Sequence, residues 1–526
     1  MMNMCLLDWA VCLAYLVFII ALALGSMRGQ RDKEDFFVGG RRMNWFAVGV
    51  SMFATSFSSI SFLGLPQRGA YQDFSFYLTI LLIPLLITPI LWVFFIPLYS
   101  RLRVNSGYSY LRLRFNSTIQ KLGSLLYCGY ALGWMGAMLY AMTLTLKSIM
   151  DLNDAQYVVV LVGLGTFTTV CAALGGLRAV VWTDVLQATT LSAAIGVILV
   201  LAVGGIDGGW TGLWQIGKDG GRWTMFHLQP DLLAKQNFTD VNTVYTAFAF
   251  ALFMYLPGYA VAQNMIQRYV CTGGLREARG VIVLSSLINA ALGFVFLLVG
   301  VALFAFYMQP GGLGMPTLER EDQILPHFVA TYAPGVGLVG LMLAGLFAAA
   351  MSTIASGING VASVIAYDWA GRKELSLNAS RRLTVVLGAL VIIAALLAPA
   401  FGSNVINIIS TVAGTMLGGL LAIFLLGMFV PRANSAGVIV GLLAGAASWT
   451  LVLVAKQLPG NPAGLPAAVA LALDFAAEVP TWWYGAFTIF PTLIVGAVAS
   501  LCFAPPQPEA LDGAVWGRDT KQTVRR

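Results

Sequence analysis

The chain has 526 residues, of which 59% are hydrophobic and 10% charged, with a net charge of +7 and a mean hydropathy of +0.82. A water-soluble domain of that balance would have nowhere to put its apolar surface, which excludes a soluble enzyme or binding module. The positive charge falls in the loops between apolar runs, so it reports membrane topology rather than nucleic-acid binding.

Apolar runs of about twenty residues, each enough to cross about 30 Å of hydrocarbon, recur along the chain. They lie near 6–26, 44–66, 76–100, 122–150, 155–176, 180–204, 240–265, 280–308, 333–366, 382–401, 404–430, 435–456 and 483–504. The expectation is an all-α polytopic membrane protein with thirteen transmembrane helices. The first run is expected to be a span and not a cleaved signal peptide, because Met1–Asp8 carry no positive charge and no small-x-small site follows. The six cysteines lie in or beside spans without a CxxC pair, which fits packing rather than disulfides or metal.

The second run holds Ser51-Met-Phe-Ala-Thr-Ser-Phe-Ser-Ser-Ile-Ser-Phe-Leu-Gly-Leu-Pro66, rich in hydroxyls and closed by Gly64 and Pro66. A helix broken at membrane depth is tolerated only where it lines a cavity or binds something. Gln67 and Arg68 follow, placed for an outer gate or for attracting an anion. On the fourth run, Trp134 and Tyr140 offer an aromatic wall suited to a sugar face or an apolar ring. Asp184, just inside the sixth run, needs a base or a cation, and Arg178 is the partner near in sequence. The 205–240 loop, with Trp210, Trp214 and Trp223, reads as a lid or an interfacial aromatic belt.

The seventh run carries Met254-Tyr-Leu-Pro-Gly-Tyr259, which predicts a second break at Pro257-Gly258. Breaks in the second and seventh runs are five spans apart. An odd-numbered unit repeated once is inverted in the membrane, and such paired breaks point to a transporter site. The ninth run contains Phe347-Ala-Ala-Ala-Met-Ser-Thr-Ile-Ala-Ser-Gly-Ile-Asn-Gly360. Ser352 and Ser356 stack on one face, as do Ala349 and Thr353. Small residues admit a second backbone, and hydroxyls supply oxygens where water is absent, as a hard cation such as sodium requires.

Twenty-three of the thirty basic residues, among them Arg28, Arg31, Arg103, Arg268, Arg372, Lys373 and the tail beyond Arg518, fall on one side of this arrangement. Seven fall on the other: Arg68, Lys147, Lys218, Arg222, Lys235, Arg320 and Lys456. The positive-inside rule then puts the N-terminus outside and the C-terminus in the cytoplasm of a plasma membrane, the inner one in a Gram-negative cell. No HExxH motif, membrane-embedded GxSxG or histidine cluster supports an enzyme, since His227 and His327 stand apart. The chain is read as a non-enzyme.

In the family's order, Asp35-Phe-Phe-Val-Gly-Gly-Arg-Arg42, Ala54-Thr-Ser-Phe-Ser-Ser59, Trp182-Thr-Asp-Val185, Gln267-Arg-Tyr269 and Met351-Ser-Thr-Ile-Ala-Ser356 together resemble the sodium/solute symporter family, with its LeuT-type 5+5 inverted repeat and two broken helices. The resemblance covers about residues 8–430. It implies an extra helix and loop at 1–43, a transport core at 44–430, two further helices at 431–505 and a cytoplasmic tail at 506–526.

The resemblance also implies a sodium site from the carbonyls of Ala54, Phe57 and Ala349 with the hydroxyls of Ser352 and Thr353. A second sodium site, found in some relatives, would use Asp184, Ser352 and Ser356, but Ala355 lacks the hydroxyl it needs. For the solute it implies Ser58 and Ser61, with Gln67, Trp134, Tyr140 and Gln263 around them. Trp134 replaces the arginine of sialic-acid carriers, and Ala262 the asparagine of sugar carriers. The function implied is sodium-coupled import of a small polar organic solute (a sugar, sugar acid or small carboxylate) by alternating access. Na+ is a co-transported ion, the lipid bilayer is the setting, and neither a nucleic acid nor an obligate protein partner is indicated. A proton-coupled carrier using Asp184, or a transporter-like sensor, is the alternative.

Overall fold

In the computed structural model, residues 4–27, 30, 32–102, 105–369, 376–401, 412–457, 475, 477–478 and 480–517 are described. The start of the predicted 404–430 span, the basic tail from Arg518, and Arg28, Arg31, Arg103, Arg372 and Lys373 lie outside them. Every regular element among the described residues is helical. The membrane-length helices are α1 (Leu6–Ser26), the pair α2 (Trp45–Ser56) and α3 (Ser59–Tyr71), α4 (Phe76–Leu102), α5 (Ser117–Met150) and α6 (Asp154–Gly204). Then come α7 (Lys235–Val261), the short α8 (Gln263–Val270), α9 (Leu275–Met308) and α10 (Leu338–Trp369). The last four are α11 (Leu377–Ala400), α12 (Ala413–Phe429), α13 (Ser435–Gln457) and α14 (Thr481–Ala499).

By length and composition 10 helices can cross a membrane, or 11 if the bent α2–α3 pair is one span, against the thirteen expected. Two things reduce the count. The predicted spans 155–176 and 180–204 form one 51-residue helix, interrupted only at Gly176 with φ 55° and ψ −157°. In addition, α12 is short within the described residues.

Gly176 has a backbone that L-residues avoid, and a Cβ there would lie 2.5 Å from the Phe36 carbonyl oxygen. The buried Phe36-Phe37-Val38 of the first loop is thus wedged against the kink in α6. Of the spans, α10 is the most buried, at 89% against 28% for α1. It packs against α1, α5 and α6 at the centre of the bundle.

The first break falls at Phe57–Ser58, where α2 and α3 meet at a 68° bend. Pro66 lies inside α3 instead of ending it. The second break is corrected more substantially. Pro257-Gly258 is helical, preceded by a π turn at Ala251–Tyr255, and a widened turn relieves the proline ring's clash with the preceding carbonyl. The chain breaks instead at Ala262, extended at φ −75° and ψ 127°, between α7 and α8.

Two glycines set how closely α3 and α9 approach. A Cβ on Gly69 would meet the Leu297 carbonyl oxygen at 2.2 Å, and one on Gly300 that of Pro66 at 2.2 Å. Gly300→Val therefore forces the helices apart, at a cost of about 3 kcal/mol or more. The expected result is a lower Tm in detergent and a smaller monodisperse peak on size exclusion; wild-type values for both would contradict this packing.

Candidate functional site

The two breaks and the centre of α10 meet around one buried cation. Arg268 on α8 is fully buried. Its Nη2 donates to Asp184 Oδ2 at 2.8 Å, Thr55 Oγ1 at 2.6 Å and Ser356 Oγ at 2.7 Å. Nε donates to Ser51 Oγ at 3.1 Å, and Nη1 to the Asn264 carbonyl at 2.7 Å. Ser51 Oγ in turn donates to Asp184 Oδ2 at 2.6 Å. Ser51 and Thr55 are one turn apart on α2, so a single helix face supplies both hydroxyls.

This geometry corrects two expectations. The partner of Asp184 is Arg268, while Arg178 is exposed on α6. Asp184 and Ser356, two residues of the expected second sodium site, both accept from Arg268 Nη2, and Asp184 Oδ1 is buried without a hydrogen bond among the described residues. Arg268, counted as a loop residue for topology, is in the protein interior. The quoted motifs converge here. Gln267 Nε2 donates to the Phe37 carbonyl and to Asn359 Oδ1, both at 3.0 Å, and Tyr269 OH donates to the Tyr259 carbonyl at 3.1 Å.

Beside this pair lie the five residues expected to bind sodium, all buried. Ser352 Oγ donates to the Ala54 carbonyl at 2.8 Å and the Ala349 carbonyl at 3.1 Å. Thr353 Oγ1 donates to the carbonyls of Thr55 and Ala349, each at 3.3 Å. Phe57 is the last residue before the bend. The carbonyls ending α2 sit at the negative pole of its helix dipole, and the group offers only oxygens. Oxygens of this kind suit a hard cation, not a transition metal.

A cavity of about 120 Å³ lies against these residues. Its wall takes Thr55 and Ser56 from the first break, Thr353 and Gly357 from α10, and Tyr255, Tyr259, Ala262 and Asn264 around the second break. Tyr127, Tyr130 and Trp134 of α5 and Phe250 of α7 complete an aromatic wall that, among the described residues, carries no charged side chain. Among the described residues Asn264 Oδ1 is buried without a partner. Asn289 of α9 ties Ser56 Oγ (3.0 Å) to Tyr259 OH (3.3 Å) across the two breaks.

Of the expected solute residues, only Trp134 lines the cavity. Tyr140 is six residues further along α5, about 240° round the helix, and is buried in the core. Gln263 is taken up by the Gly107 amide (2.9 Å), the Asn105 carbonyl (3.0 Å) and Ser363 Oγ (3.4 Å). Ser58 caps α3, accepting from the Ser61 amide at 3.3 Å, so both serines serve the break itself. Gln67 donates to Glu321 Oε2 at 2.7 Å, away from the cavity. Sequence reasoning missed Tyr127 and Tyr130, although their i, i+3, i+7 spacing with Trp134 marks one helix face. It missed Asn264 because the extended Ala262 resets the facing of α8.

Residues 36–445 match the family model described as Sodium:solute symporter family. The sodium/sialic acid symporter SiaT of Proteus mirabilis is 26% identical over 96% of this chain and 97% of its own length. The human sodium/iodide cotransporter is 30% identical over 96% of this chain and 84% of its length. A solved Na+-coupled sialic acid symporter, substrate-bound, outward-open and with a novel Na+-site, superposes with a TM-score of 0.79 at 25% identity. It covers 96% of this chain, which covers 99% of it.

Removing either partner of a buried ion pair costs about 3–5 kcal/mol, because the other charge is stranded. Asp184→Asn and Arg268→Gln are each expected to lower Tm sharply, and the double variant to lose much less than the sum. Additive losses in that double-mutant cycle would show that the two side chains do not depend on each other.

Proposed function

The chain is a member of the sodium:solute symporter family, and from that membership we propose the cycle it runs. It carries one sodium ion together with one small monoanionic organic solute, a small carboxylate in the first instance, into the cell by alternating access. Sodium is the co-transported ion, and the protein is a multi-pass membrane carrier rather than an enzyme. The observation that supports the cycle most is the dual position of Thr353. It belongs to the five-oxygen group formed with Ala54, Phe57, Ala349 and Ser352, and also to the cavity wall. An ion there lies against the solute, so each stabilises the other, and linkage makes the effect reciprocal.

The charges favour a single sodium. Asp184 is matched by Arg268. A second sodium there would leave two cations against one carboxylate in the interior, which is costly.

The size of the cavity, about 120 Å³, favours a small solute over a sugar or sugar acid. A water needs about 10–15 Å³ of such space, and pockets for drug-sized ligands start near about 300 Å³. Sialic acid and iodide, named for the two relatives, are both anions, and a monoanion neutralises the sodium beside it. Asn264 Oδ1 calls for a donor on the solute, as the hydroxyl of a hydroxycarboxylate provides. The breaks at Phe57–Ser58 and Ala262 favour an inverted five-helix repeat, and the basic-residue asymmetry favours a cytoplasmic C-terminus.

The experiment is a thermal melt of purified protein with sodium replacing potassium or choline at constant ionic strength. A ligand at a hundred times its Kd stabilises the native state by about 2.7 kcal/mol. Wild type is expected to show a sodium-specific rise in Tm that Thr353→Ala loses while remaining folded. No sodium-specific rise in wild type, or an undiminished one in Thr353→Ala, overturns the site.

A further inference from the structure

Arg68 lies one aromatic layer beyond the cavity. On α3, its guanidinium stacks 4.4 Å from the ring centre of Phe76 and 5.7 Å from that of Trp482. Phe76, Phe250 and Trp482 form a ring triad with centroids 6.0, 5.1 and 5.9 Å apart. Phe250 also packs 4.9 Å from Tyr255, and both line the cavity. The rings therefore stand between Arg68 and the solute space.

The bonding of the guanidinium is incomplete. Nη1 donates to Asn242 Oδ1 at 2.9 Å and to Gln72 Oε1 at 3.3 Å, both neutral acceptors. Among the described residues Nη2 and Nε make no hydrogen bond, and no carboxylate pairs with Arg68. Nearby carboxylates are engaged elsewhere, Asp73 with His227 at 2.5 Å and Glu321 with Gln67 at 2.7 Å. Asn242, which holds Arg68, has a left-handed backbone at φ 91°, and its Nδ2 donates to Gln72 Oε1 at 3.0 Å. Such a strained conformation persists where the surroundings over-determine it. The result is a fixed cation whose remaining edge matches a carboxylate in two-pronged geometry.

We propose that Arg68, held by Asn242 and Gln72 over the Phe76–Phe250–Trp482 rings, is an outer docking site. It captures the carboxylate of the anionic solute before the rings part to admit it. This rests on the monoanion reading above. Among the described residues no charged side chain lines the cavity, so Arg68 sets the preference for an anion on the way in, and sodium sets it inside. The guanidinium raises the local concentration of anions without taking part in the central site, an effect that weakens with salt.

The test uses full-length protein in proteoliposomes, reading radiolabelled sodium uptake stimulated by lactate, propionate, iodide or the neutral lactamide. In wild type, lactate is expected to stimulate and lactamide not. Arg68→Gln is expected to raise the lactate half-saturation about tenfold, with maximal rate and sodium half-saturation unchanged. It also flattens the dependence of that half-saturation on ionic strength, which losing a purely structural staple would not do. Arg68→Lys keeps the charge without the fork, so it retains the salt dependence with an intermediate half-saturation. It carries the test if Arg68→Gln fails to fold. A wild-type lactate half-saturation and salt dependence in Arg68→Gln overturns the docking site while leaving the monoanion reading standing. Stimulation of wild type by lactamide but by none of the anions overturns both.

Discussion

A guanidinium sealed inside a membrane protein must have its charge and its donors matched, and much of the site follows from that demand at Arg268. Asp184 on α6 supplies the charge, Ser51 and Thr55 on α2 and Ser356 on α10 supply oxygens, and the Asn264 carbonyl supplies one from α8 itself. Four helices are thereby tied at one point, including one arm of each broken span. Removing any of these groups leaves a polar atom in a place that water does not reach.

That knot shares its parts with the proposed transport site. Thr55 accepts from Arg268 through its hydroxyl and from Thr353 through its carbonyl. A sodium ion drawing on the end of α2 and on α10 therefore acts on the same two helices that Arg268 holds. The cavity wall includes Thr55, Thr353 and Asn264, so the proposed ion and solute positions and the buried pair are neighbours. In this account coupling needs no long-range path. The charge balance also has an energetic consequence. A sodium entering alone gains about 2.3 kcal/mol per 100 mV, whereas a sodium paired with a monoanion moves no net charge and draws only on its concentration gradient.

Much of this was legible in the residues. Apolar runs located the helices, because a span must be about twenty residues long and nearly free of charge. The hydroxyl pattern of Ser352, Thr353 and Ser356 picked out α10, the most buried span. The sequence misled where distant elements decide the outcome. A Pro-Gly pair looks like a break, yet a π turn beside Pro257 absorbs the missing amide, and the chain breaks at Ala262, whose identity gives no hint. Asp184 seemed to belong with Arg178, six residues away, because nothing in a linear sequence brings Arg268 near. Gln263 and Asn264 illustrate the same limit. One residue past an extended link decides which side chain meets the cavity and which is spent on holding the loop at Asn105–Gly107.

The central proposal is that one sodium accompanies one monoanion, with Arg268 and not a second sodium balancing the charge of Asp184. Solute accumulation in proteoliposomes, at a fixed sodium gradient and with the membrane potential clamped by potassium and valinomycin, tests it directly. The account predicts a steady-state accumulation of lactate that is the same at zero and at inside-negative potential. Accumulation that climbs steeply as the interior becomes negative would mean that net positive charge moves with each solute, and would contradict it.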